Sequence, residues 1–104
     1  MDDISEMQRK ISEVRRKRGF VTDPTKIQIL LTEEIGEISS ELKKLWSINY
    51  DDFNPDRVSD EIADAFVLLC ALASEFDIDI GQAVKSKFFS KDAERAWNSE
   101  TKPQ

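Results

Sequence analysis

The chain has 104 residues, the length of one small domain, and a formal net charge of −6. This acidic balance disfavours a nucleic-acid polymer as the partner, because phosphate backbones attract surfaces rich in lysine and arginine. The sequence contains no histidine, which excludes Ser-His-Asp catalysis and histidine-ligated metal sites, and its three glycines provide no glycine-rich phosphate loop.

The first half of the chain carries two helical patterns. Apolar residues at helical spacing predict a first helix over residues 2–18, and Gly19 is the residue that ends it. Asp23 as N-cap and Pro24 at the first helical position predict the start of a second helix, which we expect to run to about Trp46.

The second half of the chain repeats this pattern of an N-cap residue followed by proline. Asn54 and Pro55 predict the start of a third helix, which we expect to end near Phe76. Between positions 65 and 73 this helix has no polar residue. A helix that is apolar on all sides is buried, either by its own fold or by a partner subunit.

Asp79, followed three residues later by Gln82, predicts the N-terminus of a fourth helix that continues past Lys87. No segment requires a strand. We therefore expect an all-α fold in a single domain over residues 1–97, followed by a frayed polar tail at residues 98–104.

The single cysteine, Cys70, forms no intrachain disulfide and fits a reducing compartment, and its apolar neighbours predict a small core residue. The sequence shows no signal peptide and no apolar stretch of about 18 residues, so we expect a cytoplasmic protein without membrane contact. A chain this short buries only about 60–65% of its extended surface, which makes self-association a reasonable expectation.

Two acidic pairs lie within apolar helical stripes: Glu34 with Glu37, and Glu61 with Asp64. Residues three apart are neighbours on a helix, so both members of a pair can reach one cation. If the second and third helices pack antiparallel, the pairs face one another, and a divalent cation relieves their repulsion. Carboxylate-only ligation favours Mg²⁺ or Mn²⁺. The alternative is that these acids line a solvated groove at the helix edge.

These motifs resemble those of the MazG-like nucleoside triphosphate pyrophosphohydrolases. The segment Leu-Thr-Glu-Glu-Ile-Gly-Glu-Ile at residues 31–38, followed by Asp-Glu-Ile-Ala-Asp at residues 60–64, matches their EExxE and ExxD motifs. The apolar run after the second motif and the entry to the last helix fit as well, so the resemblance covers roughly residues 4–97. It implies a four-helix-bundle-like fold that is completed by association into dimers or tetramers.

The resemblance also implies which acids have which roles. By motif position, four carboxylates bind Mg²⁺, with Mn²⁺ as the alternative ion: Glu34, Glu37, Glu61 and Asp64. Glu33 and Glu37 are the candidates for accepting the proton of the attacking water. Members of the family vary at the position of Glu33, so its match is the looser one.

The last helix carries the predicted substrate contacts. The resemblance implies phosphate binding by Lys87, Lys91 and Arg95, although Asp92 stands where the family commonly has asparagine. Trp46 is the first candidate for stacking on the base, and the others are Phe88, Phe89 and Trp97. The alternatives are solvated basic residues near a chain end and ordinary core aromatics.

The predicted function is Mg²⁺-dependent hydrolysis of a nucleoside triphosphate, including deoxy or non-standard ones, to the monophosphate and pyrophosphate. The predicted partners are this substrate and further copies of the chain, as a homodimer or homotetramer. Two alternatives remain from the residues alone. One is a non-catalytic helical interaction module with an acidic groove, and the other is a related hydrolase of another nucleotide phosphate.

Overall fold

The computed structural model describes residues 3–96 and residue 102. These residues form four α-helices and no strand, which confirms the all-α prediction. The helices are α1 (Asp3–Arg18), α2 (Pro24–Leu42), α3 (Pro55–Glu75) and α4 (Ile80–Val84). Trp97 and most of the predicted tail lie outside the described residues.

The helix starts follow directly from the local sequence. The side chains of Asp23, Asn54 and Asp79 each accept a hydrogen bond of 2.9 Å from a backbone N–H two or three residues further on. Pro24 and Pro55 occupy the first positions of α2 and α3. All three N-cap predictions are confirmed, because a side-chain oxygen here satisfies an N–H that has no partner within the helix.

The ends of α1 and α3 share one backbone geometry. Gly19 adopts a left-handed conformation with φ of 70°, and the Phe20 N–H donates to the Arg15 carbonyl at 3.0 Å. This is a Schellman motif, and it confirms Gly19 as the end of the first helix. Asp77 takes the same conformation after α3, with φ of 55°.

The predicted end of the second helix is wrong, whereas the fourth helix continues past Lys87 as predicted but changes its type. The second helix stops at Leu42 rather than near Trp46, and the 3₁₀ turn Lys43–Leu45 follows it. The fourth helix is α-helical only to Val84 and then widens into a π-helix over Lys85–Lys91. The wider turn is closed by an i to i+5 hydrogen bond of 2.9 Å from the Asp92 N–H to the Lys87 carbonyl.

Helix α3 is the centre of the packing, and α2 forms the largest interface with it. Helix α1 packs on α3 as well, through the buried side chain of Gln8. The Gln8 amide donates to the Ile78 carbonyl at 2.7 Å and accepts from the Ile80 N–H at 2.9 Å. Gln8 thereby connects α1 to the turn between α3 and α4.

The buried core of the described chain is small. It consists of Ile27, Ala65, Cys70 and Ala71, and Cys70 is the core residue that the sequence predicted. Leu69 is 45% exposed although it lies in the apolar middle of α3. It lines an apolar groove of about 470 Å³ between α3 and α4. The described residues therefore do not bury α3 on all sides.

The surface of the chain is large for its mass. Its accessible area is 8502 Å², whereas a folded monomer of 12.0 kDa exposes roughly 6,000 Å². The radius of gyration is 17.2 Å, compared with about 13 Å for a compact domain of this length. No helix in the described part of the chain is long and apolar enough to cross a membrane.

Candidate metal centre

Three of the four predicted metal ligands meet at the interface of α2 and α3. Glu34 comes from α2, and Glu61 and Asp64 come from α3 one turn apart. Each of the three offers a carboxylate oxygen, and these oxygens all lie within 4.8 Å of one another. We call these three residues the acidic triad. The antiparallel arrangement of α2 and α3 brings the triad together, as the sequence predicted.

Two oxygens of the acidic triad have no partner. Glu34 and Glu61 are half-buried, and Oε2 of each is shielded from solvent without a hydrogen bond among the described residues. Asp64 is exposed. A buried carboxylate oxygen without a donor is unfavourable, because it has lost its hydrating water and gained nothing in return.

Glu37 lies beside the triad rather than within it. The charge of Glu61 and a hydrogen bond shared with it raise the pKa of Glu37, and the charges of Glu33 and Asp64 raise it further. A side-chain hydrogen bond with the Glu34 carboxyl raises the pKa of Glu61, and burial adds to this effect. Charge repulsion by Glu61 is the largest cause of the shift of Glu37, whereas for Glu61 the hydrogen bond with Glu34 and burial outweigh the repulsion by neighbouring carboxylates.

The residues present suit a hard divalent cation. All the donors are carboxylate oxygens, which favour Mg²⁺ or Mn²⁺ over softer metals. A divalent cation would supply what the triad lacks, a positive charge for the two unpartnered oxygens. Exposed acidic groups often occur without a metal, so the shielded Oε2 atoms of Glu34 and Glu61 are the more specific observation.

The predicted phosphate contacts lie on the π-helix and just after it. Lys87 Nζ contacts both carboxylate oxygens of Asp92, at 2.6 and 2.7 Å, and the Lys87 side chain is 62% exposed. Lys91 and Arg95 are exposed. Asp92 therefore partly neutralises Lys87, and the phosphate roles of all three basic residues stay predictions.

The candidate stacking residue, Trp46, directly follows the 3₁₀ turn and is 79% exposed. Tyr50, four residues further along the chain, lies under the Lys43 ammonium group, which is 4.4 Å from the ring centroid. Phe88 and Phe89 contact each other edge to face and are also largely exposed. None of these three candidates is a core aromatic, but base stacking stays a prediction.

A fourth glutamate of α2 has a role that the sequence did not reveal. Glu41 is only 5% exposed, and its two carboxylate oxygens accept hydrogen bonds from Lys44 Nζ and the Asn54 N–H, both at 2.9 Å. The hydrogen bond from Lys44, followed by that from Asn54, lowers the pKa of Glu41. Its spacing from Lys44 is visible in the sequence, whereas its contact with Asn54 depends on the tertiary fold.

Comparison with protein-family models, with curated proteins and with solved structures found no match. The resemblance to MazG-like enzymes accordingly depends on the motif residues themselves. The functional argument therefore begins from the geometry of the acidic triad.

Proposed function

We propose that the chain is a Mg²⁺-dependent hydrolase that converts a nucleoside triphosphate to the monophosphate and pyrophosphate. One observation carries the proposal: Glu34, Glu61 and Asp64 converge within 4.8 Å, and two of their oxygens are shielded without a partner. The same residues occupy the ExxE and ExxD motif positions. Their convergence at a helix interface supports an enzyme over a chance run of acids.

In this proposal the acidic residues have two roles, cation binding and proton acceptance. Glu34, Glu61 and Asp64 hold Mg²⁺, or Mn²⁺ in its place, with Glu37 next to them. When bound, such a cation neutralises phosphate oxygens and acidifies a water molecule. The water oxygen forms a bond to the α-phosphorus, and the bond from this phosphorus to the bridging oxygen breaks. Glu37 or Glu33 accepts the proton of the water.

The remaining predicted residues would bind the rest of the substrate. Lys87, Lys91 and Arg95 would offset the charge that develops on pyrophosphate as it leaves. Lys87 would exchange its contact with Asp92 for a phosphate oxygen. Trp46 would stack on the base, since its exposed ring offers an apolar face of suitable size.

We also propose that the active form is a homodimer or homotetramer. The chain exposes about 2,500 Å² more than a folded monomer of its mass, and obligate interfaces bury roughly 1,000–2,500 Å² per chain. Size-exclusion chromatography with light scattering tests this, and a monomer at micromolar concentration would contradict it.

The decisive experiment is a product assay. Common and damaged ribo- and deoxyribonucleoside triphosphates are incubated with the protein and Mg²⁺, and the release of monophosphate and pyrophosphate is measured. Glu34→Gln and Asp64→Asn should reduce turnover to background, whereas Asp60→Asn removes an exposed carboxylate beside the triad and should retain it. Full turnover in the first two variants would remove the triad from the reaction. Hydrolysis of a diphosphate alone would favour the related hydrolase.

A further inference from the structure

The buried carboxylate of Glu41 joins the two helices that carry the acidic triad. Its side chain belongs to the last turn of α2, and one of its oxygens accepts the backbone N–H of Asn54, the N-cap of α3. Its other oxygen is paired with Lys44 at 2.9 Å. Both oxygens are thus satisfied within the chain, so Glu41 needs no external ligand.

The spacing from this contact to the triad is equal on the two helices. Glu34 precedes Glu41 by seven residues on α2, and Glu61 follows Asn54 by seven residues on α3. Seven residues of α-helix rise about 10.5 Å. Because the helices run antiparallel, equal distances from one fixed contact bring Glu34 opposite Glu61.

The register of α2 against α3 decides whether the triad forms. The connection from Lys43 to Asn54 is a short 3₁₀ turn followed by irregular chain. A slip of one residue would move a side chain by about 1.5 Å along the axis and by about 100° around it, which separates the triad oxygens.

We infer that Glu41 is a positioning residue, which sets the register of α2 against α3 and thereby the convergence of Glu34, Glu61 and Asp64. The inference rests on the proposed function only in treating that convergence as a cation site. It assigns to Glu41 no contact with substrate or cation. Its effect is on geometry, and its loss should weaken cation binding in protein that is still folded.

The first test measures the register itself, without metal. Spin labels at the exposed positions Ser40 and Asp60 report the offset of α2 and α3 by pulsed electron resonance. Labelled chain is diluted about tenfold in unlabelled chain, which isolates distances within one chain from those between subunits. Glu41→Ala should shift or broaden the distance distribution by about 1.5 Å or more, one helical rise. A distribution identical to that of the parent would overturn the inference.

The second test measures the consequence with Mn²⁺ alone, from the electron resonance signal of the free ion. Glu41→Ala should raise the Kd for Mn²⁺ by more than twofold, because a slipped register separates the triad oxygens. Glu41→Gln keeps an acceptor for the Asn54 N–H and should recover most of the affinity. Asp79→Ala removes the N-cap of α4, lowers the stability of the fold and should leave the Kd unchanged.

The two tests separate the inference from the proposed function. A Kd for Glu41→Ala within twofold of the parent, in folded protein, overturns the positioning role. If the parent protein itself fails to bind Mn²⁺, the proposed cation site is contradicted. The spin-label distances then test only whether Glu41 sets the register of α2 against α3. Equal weakening by Asp79→Ala would reduce the effect of Glu41 to general stability and would also overturn the inference.

Discussion

Magnesium should raise the thermal stability of this chain, because the cation binds the folded acidic triad and not the unfolded chain. At a free concentration of about 100 times its Kd, one bound ion stabilises the folded state by roughly 2.7 kcal/mol. For a domain close to this length, each kcal/mol shifts the Tm by about 4–8 °C, so a rise of roughly 10–20 °C is expected. Scanning calorimetry across a Mg²⁺ titration measures the rise. The protein concentration is held fixed, because self-association also stabilises.

The pH dependence of stability provides the second arm of the same prediction. The pKa values of Glu61 and Glu37 are raised above 4.5, by contact with Glu34 and by the charge of Glu61 respectively. The metal-free folded state therefore binds more protons than the unfolded state above pH 4.5. Its stability should rise as the pH falls towards 4.5. Bound Mg²⁺ replaces those protons and should abolish the rise.

The lowered pKa of Glu41 has the opposite effect on the pH dependence of stability, and it acts in a lower pH range. Its contribution is complete above about pH 4.5 and is lost as the pH falls through its folded value. Metal-free stability should therefore pass through a maximum near pH 4.5.

Charge-matched variants identify the source of the Mg²⁺ effect. Glu61→Gln should at least halve the Mg²⁺-dependent rise in Tm, whereas Asp60→Asn should keep it. A Tm that stays constant across the titration in the parent protein would refute the reasoning and favour the non-catalytic interaction module.

Further predictions concern packing, backbone and substrate contacts. In urea denaturation, Gly36→Ala should raise the free energy of unfolding by about 0.5–1 kcal/mol, because the added Cβ meets nothing within 4 Å. Gly19→Ala should lower it by about 1 kcal/mol, because Gly19 has a φ of 70°. Ile27→Ala should lower the free energy of unfolding by about 2–5 kcal/mol, since Ile27 is fully buried. Ile48→Ala, at a fully exposed position, should lower it by less than about 0.5 kcal/mol. Lys87→Met should raise the KM for a triphosphate and leave the Kd for Mn²⁺ unchanged; an unaltered KM would remove Lys87 from the substrate site.

The features that the sequence predicted correctly are local ones. Asp23, Asn54 and Asp79 cap helices because each needs only a backbone N–H two or three residues away. Gly19 ends α1 because a left-handed residue closes the Schellman motif there. The convergence of Glu34 with Glu61 is not local, but helical spacing and the assumption of antiparallel packing were enough to predict it.

The features that the sequence did not predict depend on contacts between distant elements. Nothing in the sequence indicated that the partner of Glu41 would be the Asn54 N–H, 13 residues away. The sequence also did not predict the π-helical widening after Val84 or the early end of α2 at Leu42. Propensity and periodicity alone contain no information about such partners.

The contrast between Glu41 and the acidic triad supports the proposed cation site more strongly than the number of acidic residues does. The same interface between α2 and α3 holds both, and for Glu41 it supplies an ammonium group and a backbone N–H. For Glu34 and Glu61 the described chain supplies no donor to the shielded oxygens. An interface able to satisfy one buried carboxylate completely leaves two others unsatisfied at the position where three converge. In the metal-free chain the hydrogen bond between the Glu34 and Glu61 carboxyls, which raises the pKa of Glu61, offsets part of this deficit. A divalent cation that takes the place of the shared proton and meets all three carboxylates is our proposal.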